Sequence, residues 1–140
     1  MDINLLIALL DATHAFHSRA HIWWSANAAF GWASCPLTEI GVTRIMVNPA
    51  YSSSARFTAA QIIQSLNTFV VGTDHEFWPD DLTFRQPEHF QTDRIHGGRQ
   101  LTDLYLLGLA VKRGGRLATF DQGIPLSAVK NARAEHLCVL

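Results

Sequence analysis

The apolar positions of this chain recur in two rhythms, short runs and helical periods, and their alternation predicts its elements. The opening run, Ile3 to Leu10, is apolar except for Asn4. Residues 1–6 predict a first strand that runs straight into a short helix. Thr13 to Ala29 predicts a helix whose apolar face is supplied mostly by Phe16, Ala20, Trp23 and Trp24. Phe30 to Cys35 predicts a second strand. Pro36 suits the first turn of the next helix, where its missing N–H costs nothing, and that helix continues to about Met46. Asn48-Pro49 and Ser52-Ser53-Ser54 mark a loop. Thr58 with Gln61 forms a capping-box pattern before Ile62, Ile63, Leu66 and Phe69, and Val70-Val71 is a short extended candidate.

From Gly72 to Gly98 no period holds; prolines, acids and aromatics predict turns and one short helix near Pro87. Regularity returns at Thr102, an N-cap for a helix through Leu104, Leu107, Leu109 and Val111 that stops at Gly114-Gly115. Arg116 to Phe120 and His136 to Leu140 predict strands. Short strands alternating with longer helices imply an α/β fold around a central, mostly parallel sheet flanked by helices. With no repeat, linker or low-complexity tract, residues 1–140 read as one domain.

Composition narrows the choices further. The chain is 48% hydrophobic and 16% charged, which excludes disorder and permits a real core without staples. Its formal net charge of −1 supplies no global field for nucleic acid, so a polyanion needs a local patch or a bound metal. Cys35 and Cys138 sit in short apolar segments and read as two reduced core thiols. No charged leader opens the chain, and Ile3 to Leu10 is too short to span a bilayer; a cytoplasmic protein with no membrane contact is the expectation.

The candidate chemistry lies in four acids placed at the ends of apolar segments: Asp2, Glu39, Asp103 and Asp121. Ligands of open parallel sheets gather beyond the carboxyl ends of the strands, where Asp2 and Asp121 fall. Glu39 lies in the first turn of its helix, and Asp103 is expected as the first helical residue of its own. Helix N-termini favour carboxylates. Carboxylates held together resist ionisation unless a cation joins them, and oxygen-seeking Mg²⁺ or Mn²⁺ is the natural partner. Each acid also has a plainer reading. Asp103 and Glu39 can be helix-start charges, Asp121-Gln122-Gly123 a turn in which Asp caps its own backbone, and Asp2 an exposed terminus. Their common placement favours one shared destination.

Four segments carry a resemblance. Asp2-x-Asn4-x-Leu6 opens the chain, and Ser34-Cys35-Pro36-Leu37-Thr38-Glu39 surrounds the helix-borne acid. The third runs from Gln100 to Ala110 around Thr102-Asp103, and the fourth from Gly115 to Gly123 around Thr119-Phe120-Asp121. In this order and spacing the chain resembles the PIN-domain ribonucleases, especially the VapC toxins of bacterial toxin–antitoxin pairs. It departs from them in having only Met1 before Asp2, and Ile124-Pro125 where relatives often carry a further acid.

The resemblance implies a PIN-like domain and Mg²⁺- or Mn²⁺-dependent hydrolysis of RNA. Asp2, Glu39 and Asp103 are the implied metal ligands, with Asp121 as the fourth or as a supporting partner. Asn4 and Thr119 would orient carboxylates or waters. Among the basic residues near the third motif (Arg94, His96, Arg99, Lys112, Arg113 and Arg116), Arg99 and Arg116 are the candidate RNA contacts, and Lys112 and Arg113 read as a solvated rim. Phe77, Trp78 and Phe84 can stack unpaired bases or simply pack. A cognate antitoxin and a homodimer are implied partners, for which some of Trp23, Trp24, Trp32 and Phe57 can provide surface, core packing being the plainer role. His14, His17 and His21 have the spacing of a zinc site on one helix face but no evident fourth ligand. Two other functions share parts of this pattern. A phosphohydrolase with Asp2 as nucleophile normally needs a second acid where Asn4 stands, and a silent binding module has no use for four acids.

Overall fold

In a computed structural model that describes residues 1–52 and 56–140, the chain is α/β, with five α-helices and four three-residue strands among the described residues. Ser53 and Ser54 of the predicted loop lie outside them. The chain forms two compact units, one of Met1 with Ile3–Pro79, the other of Asp2 with Asp80–Leu140. No helix of the described residues is long and apolar enough to cross a membrane.

The first unit begins with α1 (Ile3–Leu10). The strand expected at residues 1–6 is absent, because the helix already starts at Ile3. The Met1 ammonium donates to the Ala33 carbonyl at 2.9 Å. A helix apolar on every side must be buried, and Ile3, Leu5, Leu6, Ile7, Ala8 and Leu9 all are. α2 (His17–Asn27) is shorter than the helix expected from Thr13 to Ala29; Ala28–Phe30 tightens into a 3₁₀ turn, and only Ala20 of α2 is buried. The His17 and His21 rings face the end of α1. Their Nδ1 and Nε2 donate to the Ala8 and Leu9 carbonyls at 2.8 and 3.1 Å, two of the four that a helix end leaves unpaired. The rings themselves lie 4.3 Å apart.

β1 (Trp32–Ser34) leads into α3 (Pro36–Met46), where Thr38 closes the first turn by accepting from the Cys35 N–H at 2.9 Å. α4 (Ala59–Val71) opens with the expected Thr58–Gln61 box, and it absorbs Val70-Val71, which the sequence suggested as extended. β2 (His75–Phe77), unforeseen in the irregular stretch, pairs in parallel with β1 in the register Trp32↔His75, Ser34↔Phe77. Ile3, Leu6, Ile7, Trp32, Val42, Met46, Ile62 and Leu66 form the core here, with Trp24 and Phe57 packed against it. Gly41 lets α3 approach α1: a Cβ there would lie 2.4 Å from Ile3 Cδ1.

In the second unit, the helix expected near Pro87 is a set of turns. A 3₁₀ turn, Gly98–Gln100, runs into α5 (Leu101–Lys112). Gln100, not Thr102, is therefore the N-cap, and Asp103 is the third helical residue. The far end is a Schellman motif. Gly114 takes φ +68°, Gly115 N–H reaches the Ala110 carbonyl at 2.8 Å, and Gly114 N–H reaches Val111 at 3.2 Å. β3 (Leu117–Thr119) and β4 (Leu137–Val139) pair in parallel, Thr119 opposite Val139. Among the described residues the strands pair in parallel, β1 with β2 and β3 with β4. Cys35 and Cys138 are free thiols, Cys35 buried and Cys138 half-buried.

Candidate active site

Three of the four acids belong to the second unit, and Thr119 organises two of them. The Asp2 N–H donates to the Ala118 carbonyl of β3 at 3.0 Å, which carries Asp2 to the strand's end. There the Thr119 hydroxyl, fully buried, donates to Asp2 Oδ2 at 2.9 Å. Thr119 Oγ1 in turn accepts the Asp121 backbone N–H at 3.0 Å. Asp121 Oδ1 accepts the Gly123 N–H at 2.6 Å, the self-capping turn of its plainer reading, and this bond also fixes where the carboxylate points.

Asp103, half-buried in the first turn of α5, feels both neighbours. Burial raises its pKa first, and the charges of Asp2 and Asp121 raise it further, to about 6. The charges of Asp2 and Asp121 thus reach Asp103 through space. Among the described residues, however, no three His, Cys, Asp or Glu side chains stand close enough to grip a metal ion together. The donor chemistry still suits a hard divalent cation: the oxygens repel, and a cation would relieve the repulsion. Mg²⁺ keeps several of its waters and needs only one or two direct carboxylates, so a looser set of acids fits it.

Glu39 lies in the first unit, in the first turn of α3. The Ser34 hydroxyl at the end of β1 donates to its Oε1 at 2.6 Å, and Ser34 Oγ in turn contacts His75 Nε2 at 2.8 Å. Ser34 stood within the second motif, five residues before Glu39, but its partner His75 carried no signal, because it lies on a strand that no apolar pattern announces. A second buried acid, Asp11, also escaped the sequence reading. Burial raises its pKa, but bonds from the Tyr51 hydroxyl at 2.6 Å and from Thr13 outweigh this and hold it below the usual value. Asp11 closes the turn after α1, a structural role.

The remaining candidates separate cleanly. Asn4 is exposed in the first turn of α1. Arg99, in the turn that enters α5, and Arg116, just before β3, are both exposed. Lys112 and Arg113 both pair with Asp81, at 3.0 and 2.9 Å. Phe84 packs on Phe90 with ring centres 4.5 Å apart, whereas Phe77 is exposed.

No family model matches the chain. Individual proteins do. The chain is 39% identical over 140 residues to Ribonuclease VapC44 of Mycobacterium tuberculosis, covering 100% of this chain and 97% of that protein. It is 41% identical over 126 residues to Ribonuclease VapC38 of the same species, covering 89% and 85%. To Ribonuclease VapC39 it is 36% identical over 129 residues, 91% of each.

Proposed function

The chain belongs to the VapC ribonuclease family, and we propose that it cuts RNA, as the toxin of a toxin–antitoxin pair, with a divalent cation held by its acidic side chains. The observation that carries this reading is the raised pKa of Asp103, caused after burial by Asp2 and Asp121. A half-buried carboxylate whose ionisation two neighbouring carboxylates oppose is a poor structural element and a good cation ligand. Glu39 is assigned to the same set by its motif alone. A bound Mg²⁺ or Mn²⁺ supplies a water of lowered pKa and offsets charge on the phosphate.

The protein's own part is to place and charge the donors. Thr119 holds Asp2 and the Asp121 backbone in one arrangement, and the Gly123 N–H fixes the Asp121 carboxylate. Asn4 orients water or carboxylate at the start of α1. Arg99 and Arg116 contact RNA phosphates, which a chain of net charge −1 cannot attract globally. A homodimer and a cognate antitoxin complete the reading, which places the protein in the cytoplasm.

The test is cleavage of a mixed cellular RNA pool with Mn²⁺ or with a chelator, comparing the native chain with Asp103→Asn. Cleavage that needs Mn²⁺ and falls by at least about a hundredfold in the variant supports the reading. Equal cleavage by both proteins places the chemistry elsewhere.

A further inference from the structure

We propose that Ser34 and His75 are positioning residues for Glu39, forming a directed hydrogen-bond relay that holds its carboxylate for the cation. The inference rests on the metal-binding role proposed for Glu39. The direction of the relay follows from counting hydrogens. A serine hydroxyl has one hydrogen, and Ser34 uses it on Glu39 Oε1 at 2.6 Å, the short length of a bond to a charged acceptor. The 2.8 Å contact between Ser34 Oγ and His75 Nε2 must then run the other way, with Nε2–H donating to the hydroxyl. The imidazole therefore carries its proton on Nε2. The chain N–H to O–H to carboxylate polarises in one sense, so each bond strengthens the next.

The relay is braced within its unit. Ser34 is 3% exposed, and its strand neighbour β2 brings His75 into place by parallel register. The His75 ring leans on the Trp32 indole with centres 4.4 Å apart. Trp32 is itself fixed, since its Nε1–H donates to Thr73 Oγ1 at 2.8 Å and the Thr73 hydroxyl donates to the Phe69 carbonyl at 2.6 Å. An unbroken series of contacts thus runs from α4 through Thr73, Trp32, His75 and Ser34 to one oxygen of Glu39. A side chain needed only for packing does not require this ordering of donors. A carboxylate that must present its second oxygen to a cation does.

The test compares His75→Ala, Ser34→Ala and His75→Gln, the last of which can place an amide N–H where Nε2 stands. Two quantities are read: Mn²⁺ affinity without RNA, from the paramagnetic resonance of free Mn²⁺, and kcat and KM for RNA cleavage. The alanine variants are expected to lose about 10- to 100-fold in Mn²⁺ affinity and in kcat, as removal of a ligand's supporting partner does elsewhere, with KM for RNA little changed. His75→Gln should recover most of both. Native Mn²⁺ affinity and kcat in His75→Ala overturn the proposal, as does a His75→Gln variant as defective as His75→Ala. Glu39→Gln separates the two levels: native affinity and activity in that variant refute the role of Glu39 itself, whatever His75 does.

Discussion

Asp103 is held where burial and two neighbouring charges all oppose its ionisation, and this has a thermodynamic sign. Its pKa stands near 6 in the fold against 3.8 for an ordinary aspartate. Below about pH 4 it is protonated in both folded and unfolded chains and costs nothing. As pH rises towards 6 the unfolded chain releases the proton first, so stability falls, and above that the full penalty remains. The move from 3.8 to about 6 corresponds to about 3 kcal/mol, an upper bound that solvent screening lowers. Asp103→Asn should therefore melt higher than the native chain at about pH 8, with the difference vanishing near pH 4; thermal melts across that range check it. Thr119→Val removes the donor to Asp2 and the acceptor for the Asp121 N–H while keeping the shape. It should cost about 1–3 kcal/mol in denaturant unfolding and lower cleavage as well. Asp2 and Asp121 stood out in the sequence by their place at element ends, and Thr119 through the resemblance. The bond between them did not, because it joins positions 2 and 119, which no local pattern relates.

At the scale of elements, Gly108 shows packing overruling propensity. Glycine in mid-helix normally weakens the helix relative to alanine by about 1 kcal/mol. Here a Cβ would meet Phe90 Cζ at 2.6 Å, and the Phe90 ring is backed by Phe84. Gly108→Ala should accordingly destabilise the fold by about 1–3 kcal/mol rather than stabilise it, measured by chemical denaturation. The elements legible in the sequence were those with end signals: α3 by Pro36, α4 by its capping box, and α5 by Gly114-Gly115. α1 was misread because a short run apolar on all sides has no period to separate a buried helix from a buried strand. β2 was missed because His75-Glu76-Phe77 lies largely exposed and is defined by pairing with β1, a tertiary fact. His14, His17 and His21 had metal-like spacing, yet two of them serve the carbonyls of α1, a partner that sequence spacing alone does not reveal.

For the whole molecule, order and spacing of the four motifs mattered more than any one of them. They pointed to the VapC family, and relatives matched over nearly the full chain agree. Net charge of −1 makes RNA binding a local matter, so Arg99→Ala should raise KM several-fold with kcat nearly unchanged and flatten the dependence of binding on salt. Cleavage assays at two ionic strengths check this. The acids of the second unit, Asp2, Asp103 and Asp121, are proposed as a cation site. Its most direct test is the Mn²⁺-induced rise in melting temperature at about pH 7.5 for the native chain, Asp2→Asn and Asp103→Asn. A clear rise is expected in the native chain, lost or strongly reduced in both variants. An equal rise in all three, or none in the native chain, would contradict it.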